Sequence, residues 1–251
     1  MWSRWEIKER AKAVLRASYW KAFLVSLILA VTAGNQGVST RFNEADADHI
    51  FQGSVDHIFR GSEIWLPLPF ETFLFGALTL ITISLAAILI AVMLLSPLEV
   101  GAQYYFLEST QMRFRLENVA RGFTGGGYGN IVITMLLRSI YTVLWYLLLV
   151  IPGIIKTYSY FMVPYLLAEN PRIPPNRAID MSRQMMSGHK WQMFVLDLSF
   201  LGWYLLGALA FGIGVLFVLP YHNTAHAQLY VTLRTIALDR QIISLQELEG
   251  Y

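Results

Sequence analysis

Six apolar blocks constrain this chain more than any other feature. They run from Ala22 to Val38, Thr72 to Ser96, Asn130 to Ile151, Ile154 to Ala168, Gln192 to Leu206 and Gly207 to Leu233. A helix crosses the hydrocarbon core of a bilayer with roughly 20 mostly apolar residues, because in lipid each backbone N–H and C=O must be satisfied within the protein. Two of the blocks are short for this, and the set reads as one packed bundle. Composition agrees, since 55% of residues are hydrophobic, 14% are charged and mean hydropathy is +0.48, against about a quarter charged in a soluble domain. The expected fold is all-α, a polytopic membrane protein of about six transmembrane helices forming one integral domain over residues 1–251.

Turn chemistry and charge order the blocks. Pro152-Gly153 separates the third from the fourth, and the glycine-rich stretch from Gly207 to Gly214 separates the fifth from the sixth; each pair reads as a tight hairpin or as one kinked helix. Basic residues cluster before the first block (Arg4, Lys8, Arg10, Lys12, Arg16, Lys21), after the second (Arg113, Arg115, Arg121), after the fourth (Arg172, Arg177, Arg183, Lys190) and after the sixth (Arg234, Arg240). The positive-inside bias then puts both termini and the 169–191 loop in the cytoplasm, and the 35–70 loop outside.

The leader, residues 1–20, reads as an interfacial helix. Ser3 and Glu6 fit a capping box, while Ile7, Ala11, Val14, Leu15 and Ser18 form one apolar stripe. Its cations and Trp2, Trp5, Tyr19 and Trp20 suit the inner leaflet surface. A cleaved signal peptide ending at Val31-Thr32-Ala33 is the competing reading, disfavoured because the leader has the pattern of a folded helix.

The stretches "IKERAKAVLRASYWKAFLVSLI", "LLLVIPGIIKTYSYFMVPYLLAENP", "AIDMSRQMMSGHK" and "FVLDLSFLGWYLLGALAFGIGVLFVLPYHNTAHAQLYVTL" resemble the bacterial multi-pass membrane family catalogued as domain of unknown function 975. The resemblance implies a six-helix integral protein of the bacterial cytoplasmic membrane. It implies no reaction, and no catalytic residue is carried over from it.

Ionisable residues inside spans are costly and face a bundle interior or a wet cavity, so each is a binding candidate. Arg138 lies eight residues beyond Asn130 and Asp197 six beyond Trp191, which puts both roughly 10 Å from the cytoplasmic ends of their helices. An Arg138–Asp197 ion pair is the expected pairing, with Glu99 joining from the second span or sitting at the interface beside Pro97. His222 and His226, four residues apart, share a helix face with Tyr221 among their polar neighbours. That spacing can chelate, but two ligands do not make a site and the glutamate of an HEXXH motif is absent. Inter-helix hydrogen bonding is their expected role, and no metal or cofactor is assigned.

Other motifs weigh less. "RGFTGGGYGN" lacks the lysine and the preceding strand of a phosphate loop and reads as a cytoplasmic loop. Asn176 to Met186 reads as an amphipathic segment lying on the membrane, with docking on the bundle or receiving a partner as the alternatives. Asp48-His49-Ile50-Phe51 and Gly53-Ser54 recur eight residues later as Asp56-His57-Ile58-Phe59 and Gly61-Ser62, read as a small tandem duplication in a variable loop, with a shallow partner-binding element and a weak divalent-metal site as the alternatives.

No nucleophile with base, no catalytic carboxylate pair and no nucleic-acid signature is assembled, so the expectation is a non-enzymatic protein. It is transporter-like or serves envelope self-protection, binding a small, peptide, lipid or amphiphilic ligand in a cytoplasmic-side polar cavity. The alternative is an accessory or scaffold protein that binds a membrane protein partner through the leader and cytoplasmic loops. Intramembrane hydrolysis stays open only with a metal on His222 and His226.

Overall fold

A computed structural model describes residues 2–34, 70–124, 126–209 and 212–249. The duplicated DHIFxGS element and nearly all of the 35–70 loop lie outside them. The described residues are helical with no strand: α1 (Arg4–Gly34), α2 (Phe70–Thr110), a 3-10 turn (Leu116–Ala120), α3 (Arg121–Thr124), α4 (Tyr128–Leu148), α5 (Val150–Ser159), α6 (Val163–Glu169), α7 (Pro175–Met185), α8 (Lys190–Leu209), α9 (Ile213–Asp239) and α10 (Leu245–Glu249). Among the described residues, four segments are long and apolar enough to cross a membrane, Arg4–Thr32, Phe75–Thr110, Tyr128–Leu148 and Lys190–Leu209.

Both expected reversals are hairpins, although the first turns earlier than Pro152-Gly153. The chain reverses at Leu149, which is extended at φ −162° and ψ 145°. Pro152 then falls in the first turn of α5, where a missing N–H costs nothing. Lys156 Nζ lies 4.4 Å from the Trp145 ring centroid, and Thr157 and Tyr146 are hydrogen-bonded at 3.1 Å, so α5 runs back along α4. The second reversal is tighter. Gly212 takes φ +76°, and a Cβ on Gly207 would meet the Gly214 carbonyl carbon at 2.6 Å, so α8 and α9 touch through bare backbone.

The fourth apolar block is not one helix. Pro164 would clash with the carbonyl of Tyr160 inside a continuous helix, and the chain breaks between α5 and α6, leaving Pro164 near the start of α6. The break frees the Ser159 carbonyl and the Met162 N–H. Ser182 of α7 satisfies both: its hydroxyl donates to Ser159 O at 2.8 Å and accepts from Met162 N at 3.1 Å. Helix α7 therefore docks its apolar residues on the bundle, the alternative to facing lipid with them. Ala178, Ile179, Met181, Met185 and Met186 are all buried in protein, and Ser182 on the same helix supplies the polar partner that the break needs.

The leader is committed in the same way. Ser18 is non-helical and divides α1 into two helical halves. Ahead of it, Ser3 Oγ accepts from Glu6 N as a cap, and the stripe of Ile7, Ala11, Val14 and Leu15 is buried. The broadest helix–helix contact of α1 is with α9. Tyr105, Phe106, Met162, Tyr165, Leu166, Met181 and Tyr230 fill the surrounding core. The first half of α2 differs, since from Phe75 to Leu94 its large apolar side chains are largely exposed, as in a helix whose neighbour is lipid.

Candidate functional site

Asp197 stands in the middle of the otherwise apolar helix α8. Its Oδ1 accepts from His226 Nε2 at 2.7 Å and from His222 Nε2 at 3.2 Å, both presented by α9 across the hairpin. Its Oδ2 accepts from the Tyr158 hydroxyl of α5 at 3.1 Å. On the far side of His222, the Tyr204 hydroxyl bonds Nδ1 at 2.9 Å. This network assigns both imidazoles the Nε2–H tautomer, with Tyr204 donating to His222. The two imidazole rings are 4.1 Å apart between centroids, as four-residue spacing on a helix requires.

Aromatic walls close most of the cluster. Phe161, in the break between α5 and α6, sets its ring 4.8 Å from His226, and Phe200 sits 4.8 Å from His222. Beyond Phe200, Lys8 of the leader places its ammonium 4.4 Å over that ring and donates to Ser199 O at 3.3 Å. Enclosure is incomplete. The Asp197 and His222 side chains keep 25% and 20% exposure while His226 keeps 8%.

Arg138 does not meet Asp197. Its Nη1 lies 3.1 Å from Glu99 Oε1, both side chains are largely buried, and the pair clasps α4 to α2. The expectation of an Arg138–Asp197 pair fails because depth along a helix is legible in the sequence and azimuth is not. Arg138 points to α2, whereas the Asp197 face of α8 looks toward α9 and α5. Tyr221 lies apart as well, its ring 5.0 Å from that of Phe200. Of the expected site residues, Asp197, His222 and His226 come together, and Arg138 and Glu99 form a second, separate pair.

Two members of the cluster went unread in the sequence. Tyr204 was legible, for it follows Asp197 by seven residues and so shares its face of the helix. Tyr158 arrives from α5, and no spacing links it to Asp197. Asp197, His222 and His226 together offer three ligand atoms within 4.8 Å of one another, a set that could hold a metal ion.

No curated protein and no solved structure matches this chain. Residues 147–237 match the model of a family described as "Protein of unknown function (DUF975)". The matched stretch contains α5 through most of α9, and with them Tyr158, Asp197, Tyr204, His222 and His226. The segment that builds the carboxylate–imidazole cluster is thus the part of the chain that is similar to this family.

Proposed function

We propose that this chain is a non-enzymatic integral membrane protein that crosses the bilayer six times, with both termini cytoplasmic, and holds a small cationic ligand at Asp197. The six crossings are α1 beyond Ser18, α2, α4, α5 with α6, α8 and α9. Helices α5 and α6 are each too short alone, but Val150–Glu169 covers about 30 Å at 1.5 Å per residue. The basic loops then lie on one side, with the α7 segment and the leader helix at the inner interface.

The observation that carries the ligand reading is the contrast between the two buried acids. Glu99 is neutralised by Arg138. Asp197 has no arginine or lysine within ion-pair distance among the described residues, only imidazole and phenol donors. A carboxylate in low dielectric without a fixed cation is costly and acquires a positive partner from elsewhere. A proton on an imidazole is the smallest such partner, and a cationic ligand entering from the exposed side of Asp197 is the larger one. The scaffold reading loses ground, because the leader's apolar stripe is spent on the protein's own core.

Native mass spectrometry of the mildly solubilised protein tests this. A small cationic species is expected on the wild type and on the Glu99→Gln/Arg138→Gln double variant, and is lost in Asp197→Asn. Wild type carrying only bulk lipid would overturn the reading, and a co-purifying protein in its place would favour the scaffold role.

A further inference from the structure

We infer that the cation taken by this cluster is a divalent transition metal of the zinc class, bound by Asp197 Oδ1, His222 Nε2 and His226 Nε2. The inference rests on the ligand-binding reading of Asp197 and specifies its chemistry. Both imidazole Nε2 atoms converge on a single carboxylate oxygen, at 3.2 and 2.7 Å, and all three ligand atoms fall within 4.8 Å of one another. In a tetrahedral zinc site with bonds of about 2.0–2.1 Å, ligand atoms stand about 3.3 Å apart. A metal replaces the two N–H···O hydrogen bonds once the carboxylate oxygen draws back from His226 Nε2 and the three ligand atoms settle at that spacing.

The outer contacts are those a metal site needs. With the metal on Nε2, the proton of His222 moves to Nδ1 and is donated to the Tyr204 oxygen, 2.9 Å away. Tyr158 donates to Oδ2 and so leaves Oδ1 for the metal. Such partners fix the orientation of ligands and raise their affinity.

Donor chemistry selects the metal class. Two imidazole nitrogens and one carboxylate oxygen suit zinc and its neighbours, whereas calcium and magnesium take oxygen ligands alone. The chain contains no cysteine, so no thiolate competes for the ion. Three protein ligands leave a fourth position, on the side where Asp197 and His222 remain partly exposed, for water or for an incoming group.

The test uses the full chain in mild detergent, stripped with a chelator, equilibrated with Zn²⁺ and desalted, with metal counted by mass spectrometry. About one zinc per chain is expected in the wild type and in the Glu99→Gln/Arg138→Gln double variant, and none in Asp197→Asn or His226→Gln. Tyr204→Phe keeps all three ligands and is expected to weaken zinc binding by roughly 10- to 100-fold. Co²⁺ in the wild type should give the visible absorption of a four-coordinate site with nitrogen and oxygen donors. Zinc that persists in both ligand variants, or wild type without zinc, overturns the inference. If wild type lacks zinc yet carries an organic cation lost in Asp197→Asn, the metal assignment fails and the ligand reading stands; if it carries neither, both fail.

Discussion

Single side chains in this protein answer for buried backbone that a broken helix leaves unpaired. Ser182 is fully buried and serves two main-chain groups at once. Ser182→Ala should lower unfolding stability by about 1–3 kcal/mol, the cost of stranding a buried donor and acceptor. Unfolding in mixed micelles would measure it, and a loss of well under 0.5 kcal/mol would show that water takes over. Arg138 and Glu99 pose the opposite case, a compensated pair. Arg138→Gln alone leaves a buried carboxylate without its cation and should cost about 3–5 kcal/mol, while the double variant with Glu99→Gln recovers much of that loss. A double-mutant cycle with no coupling would contradict the clasp.

At the scale of elements, the hairpin of α8 and α9 positions the site, since it alone brings Asp197 opposite His222 and His226. Its tip depends on the close approach of Gly207 and Gly214. Gly207→Val should lower the melting temperature and weaken any Asp197-dependent ligand together, because the helices separate. Gly202→Ala meets no atom within 4 Å and should leave both unchanged. If the two variants behave alike, the tip is not what holds the pair.

This hairpin shows how much of the fold was legible in the sequence. The all-α class, the two reversals and the four-residue histidine pair follow from hydropathy, glycine and helical spacing. The break at 160–162 was signalled by Pro164 yet hidden inside an uninterrupted apolar block. The partner of Arg138 was not legible, since choosing between Glu99 and Asp197 requires the rotation of three helices about their axes. Ile7, Ala11, Val14 and Leu15 of the expected leader stripe are buried, as are the apolar residues of α7, while Ser18 falls at the break in α1. Whether lipid or protein covers a stripe is decided by tertiary packing.

For the molecule as a whole, two predictions concern its sidedness and its base. A sequence without cysteine accepts single cysteines cleanly. In intact cells, cysteines at Ser3, Arg115 and Arg183 should resist a membrane-impermeant maleimide until the membrane is opened; labelling of Arg183 alone from outside would break the six-crossing arrangement. At the base, Glu247 joins α10 to α7 through Arg177 Nε at 2.9 Å, while Asn170 donates to the Glu247 carbonyl at 2.8 Å. The Arg177 guanidinium holds the Glu247 carboxyl below its usual range, outweighing the opposite effect of burial. A depressed folded-state pKa contributes stability above the unfolded value, lost as pH falls through the folded one. The difference in melting temperature between wild type and Glu247→Gln should therefore shrink as pH drops from about 6 to about 3. A difference independent of pH would mean that the ion pair contributes nothing.

The packing of the leader on α9 has a consequence for synthesis. Lys8 bonds Ser199, Tyr19 bonds the Phe217 carbonyl and Asn223 bonds Ser26, contacts that join residues 191 to 198 positions apart. At about 5–20 residues per second, a ribosome needs roughly 10–40 s between making the two sides of each contact. Throughout that interval the stripe of Ile7, Ala11, Val14 and Leu15 lacks α9, the broadest partner of α1, and α2 is the helix partner made first. The packing of α1 is thus completed only when α9, the last long helix, has been made.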